Sequence, residues 1–235
     1  MPLKFQFAEN SGLGNLGPST SIKTTLAGLT GFQSFFVVGE GETLSGSAVS
    51  SWVAAEGTGA FAAPSTVRRP IKAARDGLST HRYDGTMVQS LSGVTLGTKT
   101  NYTVGMRFYS NEYTEDVQII CGQDTAAPNT RILSRFANGA HRFESDTAQV
   151  PVDNRNGWRT MLWCISGGTA KLSIDGSPFA TQAVASFNFP DFHIGNARLS
   201  AGDAKIDIRS VLLMNSDVSL VPANLAIAKR ALDVA

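Results

Sequence analysis

From residue 31 onward the chain follows a two-residue period. In NYTVGMRFYS (101–110), Tyr102, Val104, Met106 and Phe108 share one side of an extended strand, and Thr103, Arg107 and Tyr109 share the other, because successive strand side chains point to opposite faces. FQSFFVVGEG (32–41) is an apolar run closed by glycines, and DVQIICGQ (116–123) reads as a buried strand. RILSRFANGAHRFES (131–145) reads as a hairpin, since Asn138-Gly139 suits a tight turn that needs positive φ. GWRTMLWCISGG (157–168) sets Trp158, Leu162 and Cys164 on one face and Met161, Trp163 and Ile165 on the other. A strand apolar on both faces belongs in the middle of a sheet. AKLSIDGSPFA runs into an Asp175-Gly176 turn, and FHIGN and AKIDIRSVLLMNS supply two more strands. Many short strands with turn signals between them predict a sandwich or barrel.

Helical spacing is read only at the end, over 221–234. Pro222 suits a first turn, and Leu225, Ala228 and Leu232 fall on one side. Lys229 and Arg230 lie in the second half, where the helix dipole favours cations. Residues 1–30 are rich in Gly, Ser and Thr with few large apolar residues, and read as an extended arm or linker ahead of a domain over 31–235.

Composition narrows the function classes. The net charge is +1 and only 17% of residues are charged, which excludes a general nucleic-acid binder. No run reaches the roughly 18 apolar residues of a membrane-spanning helix, so no membrane partner is expected. MPLKFQFAEN has no apolar stretch of the kind a secretory signal carries. Cys121 and Cys164 each lie in an apolar run and read as small buried hydrophobes. No CxxC or HxxxH spacing offers a zinc site.

Several segments in order resemble concanavalin A-like, laminin G-like jelly-roll domains of bacterial and tailed-phage proteins. They are Trp52 in AVSSWVAAEGTGAF, Arg69-Pro70, Gly77 and Tyr83-Asp84-Gly85, then Trp158, Leu172, Ile174 and Asp175-Gly176, then FHIGNARLSAGDAKIDIRSVLLMNSDVS. One departure is Arg159, where the family often places His after the Trp. The resemblance implies an all-β, two-sheet antiparallel jelly-roll sandwich, here with an N-terminal arm and a short C-terminal helix.

The candidate chemistry is sparse. ESDTAQ (144–149) is the nearest approach to the acid triplet of glucanases with this architecture, and it lacks the third acid. His81, His141 and His193 have no GxSxG partner, and the glycines of GEGETLSG have no phosphate-loop Lys. The chain is therefore expected to be no enzyme. No cofactor is expected, apart from a calcium ion that lectin-like folds often hold. VDNRNG, with Asp153 and Asn154, is the nearest ligand cluster, and Asp84 and Asp207 are further oxygens. Sugar binding needs a flat ring. Tyr109 and Tyr113 are the candidates, with Trp52 and Trp158 behind them, while Trp163 reads as core. The basic stretch 65–85 reads as an architectural junction, because Arg69-Pro70 fixes an extended backbone. Arg68, Arg69, Lys72 and Arg75, with Arg82, would otherwise form a basic strip for an acidic partner.

These readings predict a virion-associated structural protein of a tailed phage, located in the virion. Its arm would grip other virion proteins or copies of itself, and its sandwich would bind a surface glycan. The alternative is a carbohydrate-binding lectin module, with glycoside hydrolase a remote third.

Overall fold

A computed structural model describes residues 20–84, 89–111, 117–123, 131–136, 141–143, 148–150, 157–184, 187–189, 192–195 and 205–235. The expected strands pair into two antiparallel sheets. The first runs, in spatial order, Ala180–Ala183, Thr169–Ile174, Gly157–Ser166, Tyr102–Ser110 and Lys205–Met214. Beyond Lys205–Met214 it divides. The C-terminal half of that strand pairs with Phe32–Val37, and the N-terminal half pairs with Leu78–Asp84, which continues to Ile71–Arg75. The second sheet runs Ser90–Val94, Phe192–Gly195, Val117–Gln123, Arg131–Phe136, His141–Phe143 and Ala148–Val150. Ala60–Ala62 pairs with Ala48–Val53 of the first sheet and with Ser90–Val94, joining the two at one edge.

The two-residue period decides what lies between the sheets. Tyr102, Val104, Met106 and Phe108 face inward, as do Met161, Trp163 and Ile165, and all are fully buried. Phe36, Trp52 and Phe61 interlock beside them, with Phe36 and Trp52 edge to face at 5.4 Å. Leu162 and Cys164 point the opposite way, and they too are buried, because two helices cover that outer face. The strand apolar on both sides is central, as expected.

The covering helices are α1 (Thr20–Ala27) and α2 (Pro222–Val234). Helix α1 falls inside the segment expected to be an extended arm. Ile22 and Leu26, one turn apart, make a short apolar stripe that docks in the same cluster as α2; residues 1–19 lie outside the described residues. Helix α2 buries Ile227, Ala228, Ala231 and Leu232. Its close approach depends on Gly105, where a Cβ would stand 2.8 Å from Leu232 Cδ1 and 3.3 Å from Leu212 Cβ.

Lys205–Met214 carries a bulge. Arg107 pairs with Ser210 and Phe108 with Ile208, which leaves Arg209 as the extra residue. Ile206, Ile208, Val211 and Leu213 all reach the inter-sheet core, while Leu212 and Met214 reach the helices. Arg209 sits where Phe32–Val37 gives way to Leu78–Asp84. Its guanidinium donates to the carbonyls of Val38, Ser79 and Ala235.

Both cysteines are buried and neither is in a disulfide. Burial pushes the Cys164 thiol up to about 12, with the Asp217 carboxylate adding to the effect. Arg131–Phe136 and His141–Phe143 pair as the expected hairpin, with its Asn138-Gly139 turn outside the described residues.

Candidate saccharide-binding face

Helix α2 covers only part of the outer face of the first sheet. Along the paired strands Tyr102–Ser110 and Gly157–Ser166, the outward rungs are Thr103–Cys164, Gly105–Leu162, Arg107–Thr160 and Tyr109–Trp158. The first two lie beneath the helix. At the third, the helix reaches its last turn, where Asp233 accepts a hydrogen bond from the Thr160 hydroxyl (2.6 Å) and pairs with Arg107 (3.4 Å). The fourth lies beyond it. Tyr109 and Trp158 are half-buried and meet edge to face, ring centroids 5.6 Å apart. The Arg75 guanidinium lies 4.5 Å from the Tyr109 centroid and that of Arg107 5.4 Å from Trp158.

Two Asp-Gly turns hold this face. Asp76 (φ 50) and Gly77 (φ 80) make the tight turn between Ile71–Arg75 and Leu78–Asp84. Asp175 (φ 51) and Gly176 (φ 74) make another after Thr169–Ile174. Aspartate tolerates the left-handed backbone, and each carboxylate then fixes a neighbour. Asp76 accepts the Trp158 indole N–H at 3.0 Å. Asp175 accepts the Thr160 amide at 2.8 Å and the Arg159 guanidinium at 3.0 Å. Between Asp175-Gly176 and α2 opens a cleft of about 270 Å³, lined by Arg107, Thr160, Ser173, Asp175, Lys229 and Asp233, among others.

On the other flank stands Asp207, which pairs with Tyr109 in register and is fully buried. Its Oδ2 accepts Arg75 Nε and its Oδ1 accepts Arg82 Nε, each at 2.8 Å. Both oxygens are thereby committed to guanidinium groups, so the Asp207 proposed as a calcium ligand serves instead as an anchor for arginines.

The basic stretch does not form one strip. Lys72 and Arg75 differ by an odd number of residues and so face opposite sides of their strand. Lys72 pairs with Glu42, and His81 Nε2 lies 2.6 Å from the same carboxylate. Burial alone would raise the Glu42 carboxyl. Hydrogen bonds from His81, Lys72 and the Gly39 amide outweigh it and hold the group at about 2. Burial keeps the His81 imidazole below its ordinary value, against the pull of Glu42. A neutral ring donates Nε2–H to the carboxylate. Arg68 and Arg69 lie at a short 3₁₀ turn, and Arg69 is extended (φ −72, ψ 125) before Pro70 as expected. Neither makes an ion pair with its side chain among the described residues.

Of the residues expected to bind sugar, Tyr109 stands on the open rung. Trp158 joins it, Trp52 is core, and Tyr113 lies outside the described residues. The expected calcium ligands Asp153 and Asn154 also lie outside them. Among the described residues no group of three or more His, Cys, Asp or Glu side chains is placed to hold a metal ion. Arg107, Thr160, Lys229 and Asp233 are not among the site residues expected from sequence. The available signal was that Arg107 and Tyr109, like Trp158 and Thr160, are same-face neighbours, but their register across the two strands is a tertiary fact.

The chain is an all-β antiparallel sandwich, the fold class expected from its resemblance to concanavalin A-like domains. No protein-family model and no curated protein matches the sequence. Among solved structures, the fold is similar to Trypanosoma rangeli sialidase in complex with 2,3-difluorosialic acid (TM-score 0.63, 12% identity, 92% of this chain and 37% of that one). It is also similar to the same organism's sialidase bound to 2,3-difluoro-KDN (0.60, 13%, 87% and 33%), and to the receptor binding domain of botulinum neurotoxin type G (0.54, 10%, 87% and 51%). At these identities the likeness is one of fold alone. The chain spans about a third of the sialidase chains and half of the toxin domain. One expectation is overturned. The chain was expected to be no enzyme, yet similar folds occur within sialidase chains, which removes the ground for setting catalysis aside.

Proposed function

We propose that this chain is a carbohydrate-binding module and that saccharide docks on the outer face of the first sheet, against Tyr109 and Trp158. The observation that carries the reading is the open aromatic rung beside a cleft, at the point where α2 stops covering the sheet. Flat rings accept the apolar face of a sugar, and fixed polar groups beside them read its hydroxyls. Here Arg75, Arg107 and Thr160 are already held in place by Asp207 and Asp233, so little ordering is required on binding. The cleft, about 270 Å³, is just below the size range of drug-sized sites, room for one ring with the rest of a chain lying across Trp158. The similar folds in a sialidase and a receptor binding domain support this reading over a virion component, to which none of these neighbours points.

The test is a glycan array followed by calorimetry on the hits, with wild type, Trp158→Ala and Tyr109→Ala. Trp158→Ala is expected to weaken binding at least tenfold and Tyr109→Ala severalfold, with melting temperatures shifted only slightly. Array hits whose affinity is untouched by both substitutions would place the site elsewhere. Following the same samples for free sugar shows whether binding is accompanied by cleavage.

A further inference from the structure

We propose that the cleft selects saccharides carrying a single anionic group, a carboxylate or a sulfate, and that Lys229 is the residue that reads it. This rests on the saccharide-binding reading above and specifies its ligand. The argument is a charge inventory of the cleft. Its charged lining is Arg107, Lys229, Asp175 and Asp233. Asp175 has both carboxylate oxygens engaged, one by the Thr160 amide and one by Arg159. Asp233 is held by the Thr160 hydroxyl and Arg107. Arg107 is in turn fixed by Asp233 and by Thr160 Oγ1 at 2.7 Å.

Lys229 is left over. It makes no hydrogen bond or ion pair among the described residues, although it is half-buried. Asp233 lies one helical turn along on the same side, the usual partner for such a lysine, but is drawn away to Thr160 and Arg107. Gly176 completes the arrangement. Its left-handed backbone (φ 74) favours glycine, and a Cβ there would come within 3.5 Å of Lys229 Nζ. The turn thus stands against an ammonium that has no hydrogen-bond or ion-pair partner among the described residues, while both acids of the cleft are already engaged. A ligand anion is the group that would complete it, as a charge-assisted hydrogen bond in a site partly shielded from water.

The experiment uses the whole protein and compares glucose-based oligosaccharides of equal length that are neutral, carry one glucuronate, or carry one sulfate. Affinities are measured at 50 and 500 mM NaCl for wild type, Lys229→Gln, Lys229→Arg and Trp158→Ala. Wild type is expected to prefer an anionic sugar over the neutral one by tenfold or more, and to lose part of that preference at high salt. Lys229→Gln is expected to abolish the preference, bringing the anionic and neutral sugars to the same affinity, and Lys229→Arg to restore much of it. The glucuronate and sulfate arms separate the two sources of charge. Equal binding of neutral and anionic sugars, or a preference that survives Lys229→Gln, overturns the inference and leaves the aromatic platform standing. Binding of none of the three, with the array also silent, overturns the platform reading itself. A melting curve for each variant confirms that it is folded.

Discussion

Glu42 ties the strands around it by charge, and Glu42→Gln keeps the shape while removing that charge. The side chain is 3% exposed and takes hydrogen bonds from Lys72, His81 and the Gly39 amide. In the unfolded chain its carboxyl titrates near 4.5, and in the fold near 2. A folded value below the unfolded one means that the stability is fully present above about pH 4.5 and is lost as pH falls toward 2. At 1.36 kcal/mol for each tenfold difference in proton affinity, the ceiling is about 3 kcal/mol. Lys72 is 32% exposed, and hydration of its ammonium brings the expected contribution to about 2 kcal/mol.

Urea unfolding of wild type and Glu42→Gln, repeated from pH 7 down to pH 2.5, gives a difference in which the titrating groups that do not touch Glu42 cancel. The expected result is a gap of about 2 kcal/mol at pH 7 that closes steadily below pH 4.5. Two curves that stay parallel across this range would refute the reasoning, since the cost would then come from packing. A gap that widens in acid would reverse its sign. His81 works in the same direction, because its folded value lies below the ordinary one and protonation below that range favours the unfolded chain.

Asp207→Ala removes the single carboxylate shared by Arg75 and Arg82, whose side chains are 30% and 37% exposed and can rehydrate. It should cost about 2 to 3 kcal/mol in denaturant unfolding, below the range for a fully buried pair, and should weaken saccharide binding by freeing Arg75 from the Tyr109 ring; a loss under about 0.5 kcal/mol would show the pair to be idle. Cys121 and Cys164 should resist a thiol reagent at pH 8 in the native protein and react on unfolding, with Cys164 held protonated; rapid labelling of either in the native protein would contradict the burial described.

Periodicity made the sandwich legible. Residues 102–108 and 161–165 alternate without a break, and each alternation ends in the layer it pointed to. Helix α1 is not legible in the sequence because its signal is two residues, Ile22 and Leu26, inside a Gly/Ser/Thr-rich stretch. The outer face was half legible. Tyr109 stood out as aromatic on a polar side, but Trp158 shares a face with Leu162 and Cys164, and only the end of α2 separates the open rung from the covered ones. The basic residues misled for a related reason. Lys72 and Arg75 find their acids 30 and 132 positions away, and no local pattern reports a partner at that distance. Lys229 is the opposite case. It reads as an ordinary helix-end cation until the structure shows that its neighbouring acid is taken.

The extra residue at Arg209 acts as a change of phase in the strand that carries it. Up to Ile208 the even positions point to the core, and from Val211 the odd ones do. One outer surface can therefore begin with Asp207 and its arginines and finish with Leu212 and Met214 under the helices. Removing a single residue here would invert half the strand rather than shorten it, turning leucines toward water or an aspartate toward oil. The border between the face left uncovered and the face given to packing is thus written into the backbone by one inserted position. That position is occupied by an arginine that also ties off the strand ends meeting there.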